Sequence, residues 1–362
     1  MISFEYHDFL NVFFKEKTDI LSSHRKHDHR IELEKDHESN HEYASLYNLS
    51  EKELLLIKKY LKEHLDKNFI ESSIASYASL ILFAKKSDDE LRFCVNYRKL
   101  NAIIKKNRYS ISLIAETIAR LSKTKWMTKI DIRHAFNRIR MHSKKDEDLT
   151  MFRTKYDTYK YLVMFFELIN ESSIFQNFMN DTLMSYLDEF VIAYLDDIIV
   201  YNNNKREHIQ HVRKILQRLR ETNIQADVDK CEFHITETKF LRMIVKRDEI
   251  KMNSEKVRTI MKWEKSTHLK EVQTFLEFVN FYRRFIKNFF KVAKSLVKLT
   301  RKDQLFSWSK DCQTIFWWVE EASHRDIDLI VFFIRVRNIL RIRLVKLRVS
   351  RDFISKRKWW SD

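Results

Sequence analysis

Three aspartates carry the chemistry that this chain could do. Asp196 and Asp197 lie side by side between two apolar runs rich in β-branched residues, Phe190-Val191-Ile192-Ala193-Tyr194-Leu195 and Ile198-Ile199-Val200-Tyr201. That is the pattern of two strands joined by a tight turn. The strands would give the hairpin a buried footing, while its tip carries two negative charges that repel unless a cation neutralises them. A hard divalent ion takes oxygen ligands of this kind. Standing alone, the stretch reads equally well as a plain Asp-Asp turn on a surface hairpin. Asp131 ends another apolar run, Trp126-Met127-Thr128-Lys129-Ile130-Asp131, and helical spacing follows it. A lone strand-end aspartate is more often a helix cap. Combined with an Asp-Asp hairpin in a basic chain, it fits a two-metal phosphoryl-transfer site better.

The elements that must position these carboxylates are legible around them. Leu54, Leu55, Ile57, Leu61, Leu65 and Phe69 recur at helical spacing behind Ser50 and Glu53, which together predict a capping box. Ser79 to Ala84 and Leu91 to Tyr97 read as a hairpin around the charged turn Lys85-Lys86-Ser87-Asp88-Asp89. A helix is expected over Tyr109 to Leu121, with Ile114, Ile118 and Leu121 on one face. Another, amphipathic and basic, is expected over Glu207 to Thr222, with Val212, Ile215, Leu216 and Leu219 inward. Residues 255–300 read as all-helical, with basic and aromatic residues interleaved. Residues 1–44 are polar, carry a short amphipathic start (Tyr6, Phe9, Leu10, Phe13, Phe14) and read as a lead-in with weak structure of its own. The histidines between His24 and His41 match no zinc spacing and read as a solvated segment.

Composition narrows the partner. The 362 residues are long enough for two or three subdomains. The net charge of +17 favours a polyanion over an acidic small substrate. Cys94, Cys231 and Cys312 are far apart and without metal-ligand spacing, so they read as reduced thiols of an intracellular protein. The N-terminus lacks a signal pattern and no apolar run approaches membrane-spanning length, so no membrane partner is expected and the protein should be soluble. The chain also contains neither glycine nor proline, where average usage predicts about 25 and 18.

Tyr194-Leu195-Asp196-Asp197, the Lys129 to Phe136 strand and the stretch Leu91-Arg92-Phe93-Cys94-Val95-Asn96-Tyr97-Arg98-Lys99-Leu100-Asn101 resemble reverse transcriptases, in particular those of Gypsy-class long-terminal-repeat retrotransposons. The resemblance runs over roughly residues 5–322 and keeps several motifs in order. It implies an α+β, right-hand polymerase fold of fingers, palm and thumb, with an antiparallel palm sheet packed on helices. Residues 45–245 would be fingers and palm, 246–300 a helical thumb, and 301–322 the start of a link toward an RNase H domain. The implied activity is RNA-directed DNA polymerisation, with template-primer RNA or DNA and dNTPs as partners. A second polymerase chain is a further partner, as in dimeric relatives. The implied location is a cytoplasmic particle or the nucleus.

The resemblance also assigns roles. Asp131, Asp196 and Asp197 would hold two Mg²⁺ ions, with Mn²⁺ as a substitute, and the Ile132 carbonyl would help hold one. Lys85 or Lys86 and Arg92 would meet the incoming triphosphate. Phe136 would act as the steric gate against a 2′-hydroxyl, a role compatible with its being a core aromatic. Phe166 lies in the loop that cradles the template base and nucleotide, followed by Phe175 and Gln176. Lys230 would be general acid to the leaving pyrophosphate, and Phe240, Leu241 and Arg242 would form the primer grip.

Departures from the family pattern are consistent in kind. The family's Met-Pro-Phe-Gly-Leu stands here as Met164-Phe165-Phe166-Glu167-Leu168, its Phe-Leu-Gly as Phe240-Leu241-Arg242, and its Asp-Pro-Glu-Lys as Asn253-Ser254-Glu255-Lys256. All of these are changes that C-to-T and G-to-A transitions make, so the chain reads as the translation of a hypermutated element. An excess of transversions against an intact copy would overturn that reading. Glu167 should place charge and bulk near the triphosphate. Residues 323–362, with 11 Lys and Arg against 4 Asp, show no RNase H carboxylate pattern and read as an out-of-frame tail. An inactive chain that keeps only nucleic-acid binding is the alternative.

Overall fold

The computed structural model describes residues 2–34, 46–74, 78–85, 90–109, 114–252, 268–281, 283, 289–301, 307–309 and 312. Lys86, residues 253–267 with the Asn253-Ser254-Glu255-Lys256 motif, most of the 301–322 link and the 323–362 tail lie outside them. The chain divides into two compact units. The first holds Met1–Leu241 and Val245–Ile250, the second Arg242–Ile244 and Lys251–Asp362.

Nine strands organise most of the first unit: β1 (Ile70–Ser72), β2 (Ser79–Lys85), β3 (Leu91–Val95), β4 (Trp126–Asp131), β5 (Phe152–Arg153), β6 (Thr158–Tyr161), β7 (Val191–Tyr194), β8 (Asp197–Asn202) and β9 (Glu232–Ile235). Glu237–Phe240 adds β10. Strands β1–β9 build a mixed five-stranded sheet ordered β1-β6-β5-β2-β3 and a four-stranded sheet ordered β7-β8-β4-β9; β10 belongs to neither. Every pairing in the four-stranded sheet is antiparallel. The helices of this unit are α1 (Glu51–Asp66), α2 (Arg98–Ile103), α3 (Ile114–Leu121), α4 (Lys144–Leu149), α5 (Glu171–Leu183) and α6 (Lys205–Glu221).

Local signals account for most of these elements. The Ser50 side chain accepts from the Glu53 N–H while Glu53 reaches back to the Ser50 N–H, so the capping box forms as expected. Helix α1 buries Ile57 and Leu61, but Leu55 and Leu65 face solvent, so its apolar face is narrower than the sequence spacing implied. With Phe69, Ile81, Val95, Phe152 and Tyr161 it forms one core. Helix α6 buries the expected Val212, Ile215, Leu216 and Leu219. Those residues join Phe175, Phe178 and Met179 of α5 on the four-stranded sheet, against Ile130, Val191, Ile198 and Val200. Here lies the apolar footing of the hairpin.

The expectation of weak structure at the N-terminus is overturned. Phe4–Val12 and Lys15–Asp19 are 3-10 helices. Tyr6, Phe9 and Val12 recur every third residue, the period of that helix, and all three enter the same core as the Asp196–Asp197 hairpin. Polar composition hid an apolar stripe of unusual period.

In the second unit, α7 (Leu269–Phe281) buries Val272, Phe275 and Val279, and α8 (Phe289–Leu299) packs on it through Ala293, Leu296 and Leu299. Among the described residues no helix is long and apolar enough to cross a membrane.

Candidate active site

Strand pairing fixes the three aspartates. In the β4–β8 register Asp131 lies directly opposite Asp197. Side chains alternate along a strand, so Lys129 shares the Asp131 face and becomes the diagonal neighbour of Asp197. Between β7 and β8 the chain turns at Leu195 and Asp196, and Leu195 takes φ 52°. A non-glycine residue pays about 1–2 kcal/mol for that conformation, and buried hydrogen bonds hold it there. The fully buried Gln176 of α5 accepts from the Leu195 N–H at 2.8 Å and donates to the Ala193 carbonyl at 3.0 Å. The Asp196 carbonyl then accepts from the Ile132 N–H at 2.9 Å, which brings the hairpin tip to the end of β4. From the other side, the Asp227 N–H donates to the Asp131 carbonyl at 2.8 Å.

Two lysines answer the negative charge. Lys129 Nζ lies 3.0 Å from Asp197 Oδ1, and Lys230 Nζ lies 3.2 Å from Asp131 Oδ1. Among the described residues Asp196 has no such partner, and its Oδ1 is buried without a hydrogen bond. Burial, then Asp131 and Asp197, push its carboxyl up to about 6, against the relief from Lys230. Burial also raises Asp197, with Lys129 working the other way. Glu171, at the start of α5, is pushed up to about 9 by burial and then by Glu167 and Asp196. Its Oε2 is likewise buried and unbonded.

Asp131, Ile132, Phe136, Phe166, Asp196, Arg92 and Lys230 come together around one cleft of about 370 Å³. Asp197, Lys85, Phe240, Leu241 and Arg242 do not line it. Lys85 is an exposed residue at the end of β2, opposite Leu91. Phe136 follows His134, itself at φ 49°, on the 3-10 helix Ala135–Arg138. Its ring meets Phe166 edge-on at 5.5 Å and Phe175 at 5.6 Å, and the Arg92 guanidinium lies 5.8 Å from the Phe166 ring centre. Phe136 is thus both core-packed and cleft-facing.

Glu167 lines the cleft too, but its carboxylate turns to the backbone, where Oε2 accepts from the Val95 N–H at 2.7 Å. Phe240 is buried, Leu241 and Arg242 take φ 48° and 62°, and Arg242 stacks at 5.7 Å over Phe281 within the second unit. Sequence reasoning passed over Lys129 and Glu171. The two-residue offset from Asp131 was a signal for Lys129; Glu171 had none, since its environment comes from α5 packing.

The donor set suits a divalent cation, because an orphaned buried carboxylate oxygen between two repelling neighbours is the demand such an ion meets. Among the described residues no three His, Cys, Asp or Glu side chains converge as a ready metal cluster. The outer two aspartates are each drawn to a lysine that the ions would have to displace.

A family model described as reverse transcriptase (RNA-dependent DNA polymerase) matches residues 84–273, more than half of the chain. The chain is 33% identical over 265 residues to the retrovirus-related Pol polyprotein from transposon 297 of Drosophila melanogaster, across 72% of this chain and 25% of that one. It is 30% identical over 249 residues to the transposon Tf2-3 polyprotein of Schizosaccharomyces pombe, across 69% of this chain and 19% of that one. It therefore spans a quarter or less of those polyproteins. Among solved structures, the dRH form of the foamy viral protease-reverse transcriptase in complex with double-stranded DNA aligns with a TM-score of 0.73 at 19% identity, over 89% of this chain and 57% of that one. The foamy viral protease-reverse transcriptase in complex with RNA/DNA hybrid gives 0.69 at 18%, over 90% and 44%. These likenesses show the α+β polymerase fold. On the family match, the chain belongs to the reverse transcriptases, and its relatives are long-terminal-repeat retrotransposon polyproteins.

Proposed function

We propose that this chain is an RNA-directed DNA polymerase that adds dNTPs to a primer 3′-hydroxyl on an RNA or DNA template. The observation that carries the reading is the convergence of Asp131 and Asp196 on one cleft, with Asp197 opposite Asp131 in register. Asp131, Asp196, Asp197 and the Ile132 carbonyl would hold two Mg²⁺, or Mn²⁺, ions, which when bound make a hydroxyl more acidic and stabilise charge on phosphoryl oxygens. Arg92, on the cleft wall, offers a forked donor to the triphosphate, with Lys85 and Lys86 as further charges. Phe136 and Phe166 form an apolar floor that leaves no partner for a 2′-hydroxyl. Lys230, released from Asp131, can give a proton to the leaving pyrophosphate. In-line displacement at the α-phosphorus then depends on positioning and charge, with no covalent intermediate.

The motif set supports a reading of the chain as Gypsy-class. Residues 45–245 serve as fingers and palm and 246–300 as thumb, with Phe240, Leu241 and Arg242 on the primer. A second polymerase chain is a candidate partner, and the site of action is intracellular.

A second reading, an inactive chain that binds template-primer, is favoured by one observation. Arg242, which stands where the family pattern has glycine, holds φ 62°, a strain placed where that pattern needs a tight turn. Primer extension on poly(rA)–oligo(dT) with Mg²⁺ or Mn²⁺, beside Asp196→Asn, separates the two. Extension that the substitution reduces by about 10²-fold or more supports the polymerase. Tight template binding without extension supports the second reading.

A further inference from the structure

Arg138 ends the short 3-10 helix that carries Phe136, and it is the largest fully buried side chain among those described. Its Nη1 lies 3.2 Å from the carbonyls of Thr18 and Ile20 and 3.4 Å from that of Lys17; its Nη2 reaches the Asn223 carbonyl at 3.5 Å. Taking a guanidinium out of water costs several kcal/mol unless its N–H groups find acceptors. Here four carbonyls provide them for Nη1 and Nη2, while Nε is buried without a partner; all but one of the four belong to the N-terminal segment. The arginine therefore ties residues 17–20 to the helix two residues beyond Phe136.

A second line of contacts runs from the same segment to the catalytic strand. The Val12 carbonyl accepts from the Ala226 N–H at 2.9 Å, and Ala226 bridges Ile132. The Gln225 carbonyl accepts from the Arg133 N–H at 2.9 Å, and Asp227 holds the Asp131 carbonyl. The N-terminal strap thus backs residues 223–227, which in turn back residues 131–133. Arg138 spans both, since it touches the strap and Asn223.

We propose that Arg138 is a positioning residue: by clamping the N-terminal strap to the Ala135–Arg138 turn, it sets the place of Phe136 and with it the choice of deoxyribose over ribose. This rests on the reading of Phe136 as the sugar gate. A ring that discriminates one hydroxyl works only if it cannot retreat, and a displacement of about 1 Å can cost 10²-fold in a positioned reaction. The strap supplies the backing that prevents the retreat.

The full chain is compared with Phe136→Ala, Arg138→Gln and Arg138→Lys. Two quantities are read: the ratio of kcat/KM for dTTP over UTP on poly(rA)–oligo(dT), and amide hydrogen exchange of the native chain. Phe136→Ala should collapse the ratio. Arg138→Gln should lower it by about tenfold, and Arg138→Lys, which keeps charge and donors, should restore most of it. Exchange in Arg138→Gln should quicken at residues 135–139 and 223–227 and stay unchanged in α1. An unaltered ratio in Arg138→Gln beside a collapsed one in Phe136→Ala overturns the inference and spares the gate. An unaltered ratio in Phe136→Ala overturns both. If no variant extends primers, the exchange pattern decides: quickening confined to those two segments supports the clamp, and uniform or absent quickening overturns it.

Discussion

Lys129 Nζ lies 3.0 Å from Asp197 Oδ1, a diagonal pair across the two strands that carry Asp131 and Asp197. Its partner is a proposed metal ligand, so lysine and metal compete for one carboxylate. Lys129→Met should therefore tighten Mn²⁺ binding several-fold, by removing a charge a few Å from the ion. Mn²⁺ titration followed by electron paramagnetic resonance reads this directly, and an unchanged affinity would show that the pair opens without cost.

Glu171 gives the clearest pH dependence. Its carboxyl is raised from 4.5 to about 9, so the folded chain holds a proton that the unfolded chain releases above pH 4.5. Its contribution is fully present below that pH and is lost as pH rises toward 9. Glu171→Gln should raise the melting temperature at pH 7, by the equivalent of up to about 3 kcal/mol, and flatten the pH profile. Equal melting temperatures of the two proteins at pH 8 would contradict it.

Leu241 holds φ 48° without being glycine. Leu241→Gly relieves about 1–2 kcal/mol of steric cost and forfeits about 0.5–1 kcal/mol of chain entropy, so a small net gain is expected. Urea midpoints at constant m-value measure it; a loss of stability would mean that the leucine side chain contributes more than the strain removes.

Ser50→Ala removes the side-chain half of the capping box on α1, leaving the Glu53 N–H without its acceptor. The expected cost is about 1 kcal/mol, seen as a lower urea midpoint, while Leu55→Ala on the exposed face should cost far less. Similar losses from both would place Leu55 in the core.

Short-range grammar made much of this protein readable from sequence. Apolar, β-branched runs marked β4, β7 and β8, the 3.6-residue period marked α6, and a serine with a glutamate three residues later marked the start of α1. The Asp-Asp pair between apolar runs located the hairpin tip, because a buried strand on each side of a charged turn admits few other readings. Tertiary structure decided which charges meet. Lys230 finds Asp131 across 99 residues of chain, Gln176 holds Leu195 from a helix, and Arg138 gathers carbonyls from two distant segments. Glu167, expected to put charge and bulk near a triphosphate, lines the cleft while its carboxylate accepts from the Val95 amide. None of these pairings has a period or a local motif, since each depends on which surfaces the two sheets and their helices bring within 3–4 Å. The N-terminal strap lies between the two cases. Its three-residue stripe of Tyr6, Phe9 and Val12 was written in the sequence, but only the packed core shows that polar neighbours do not keep it in solvent.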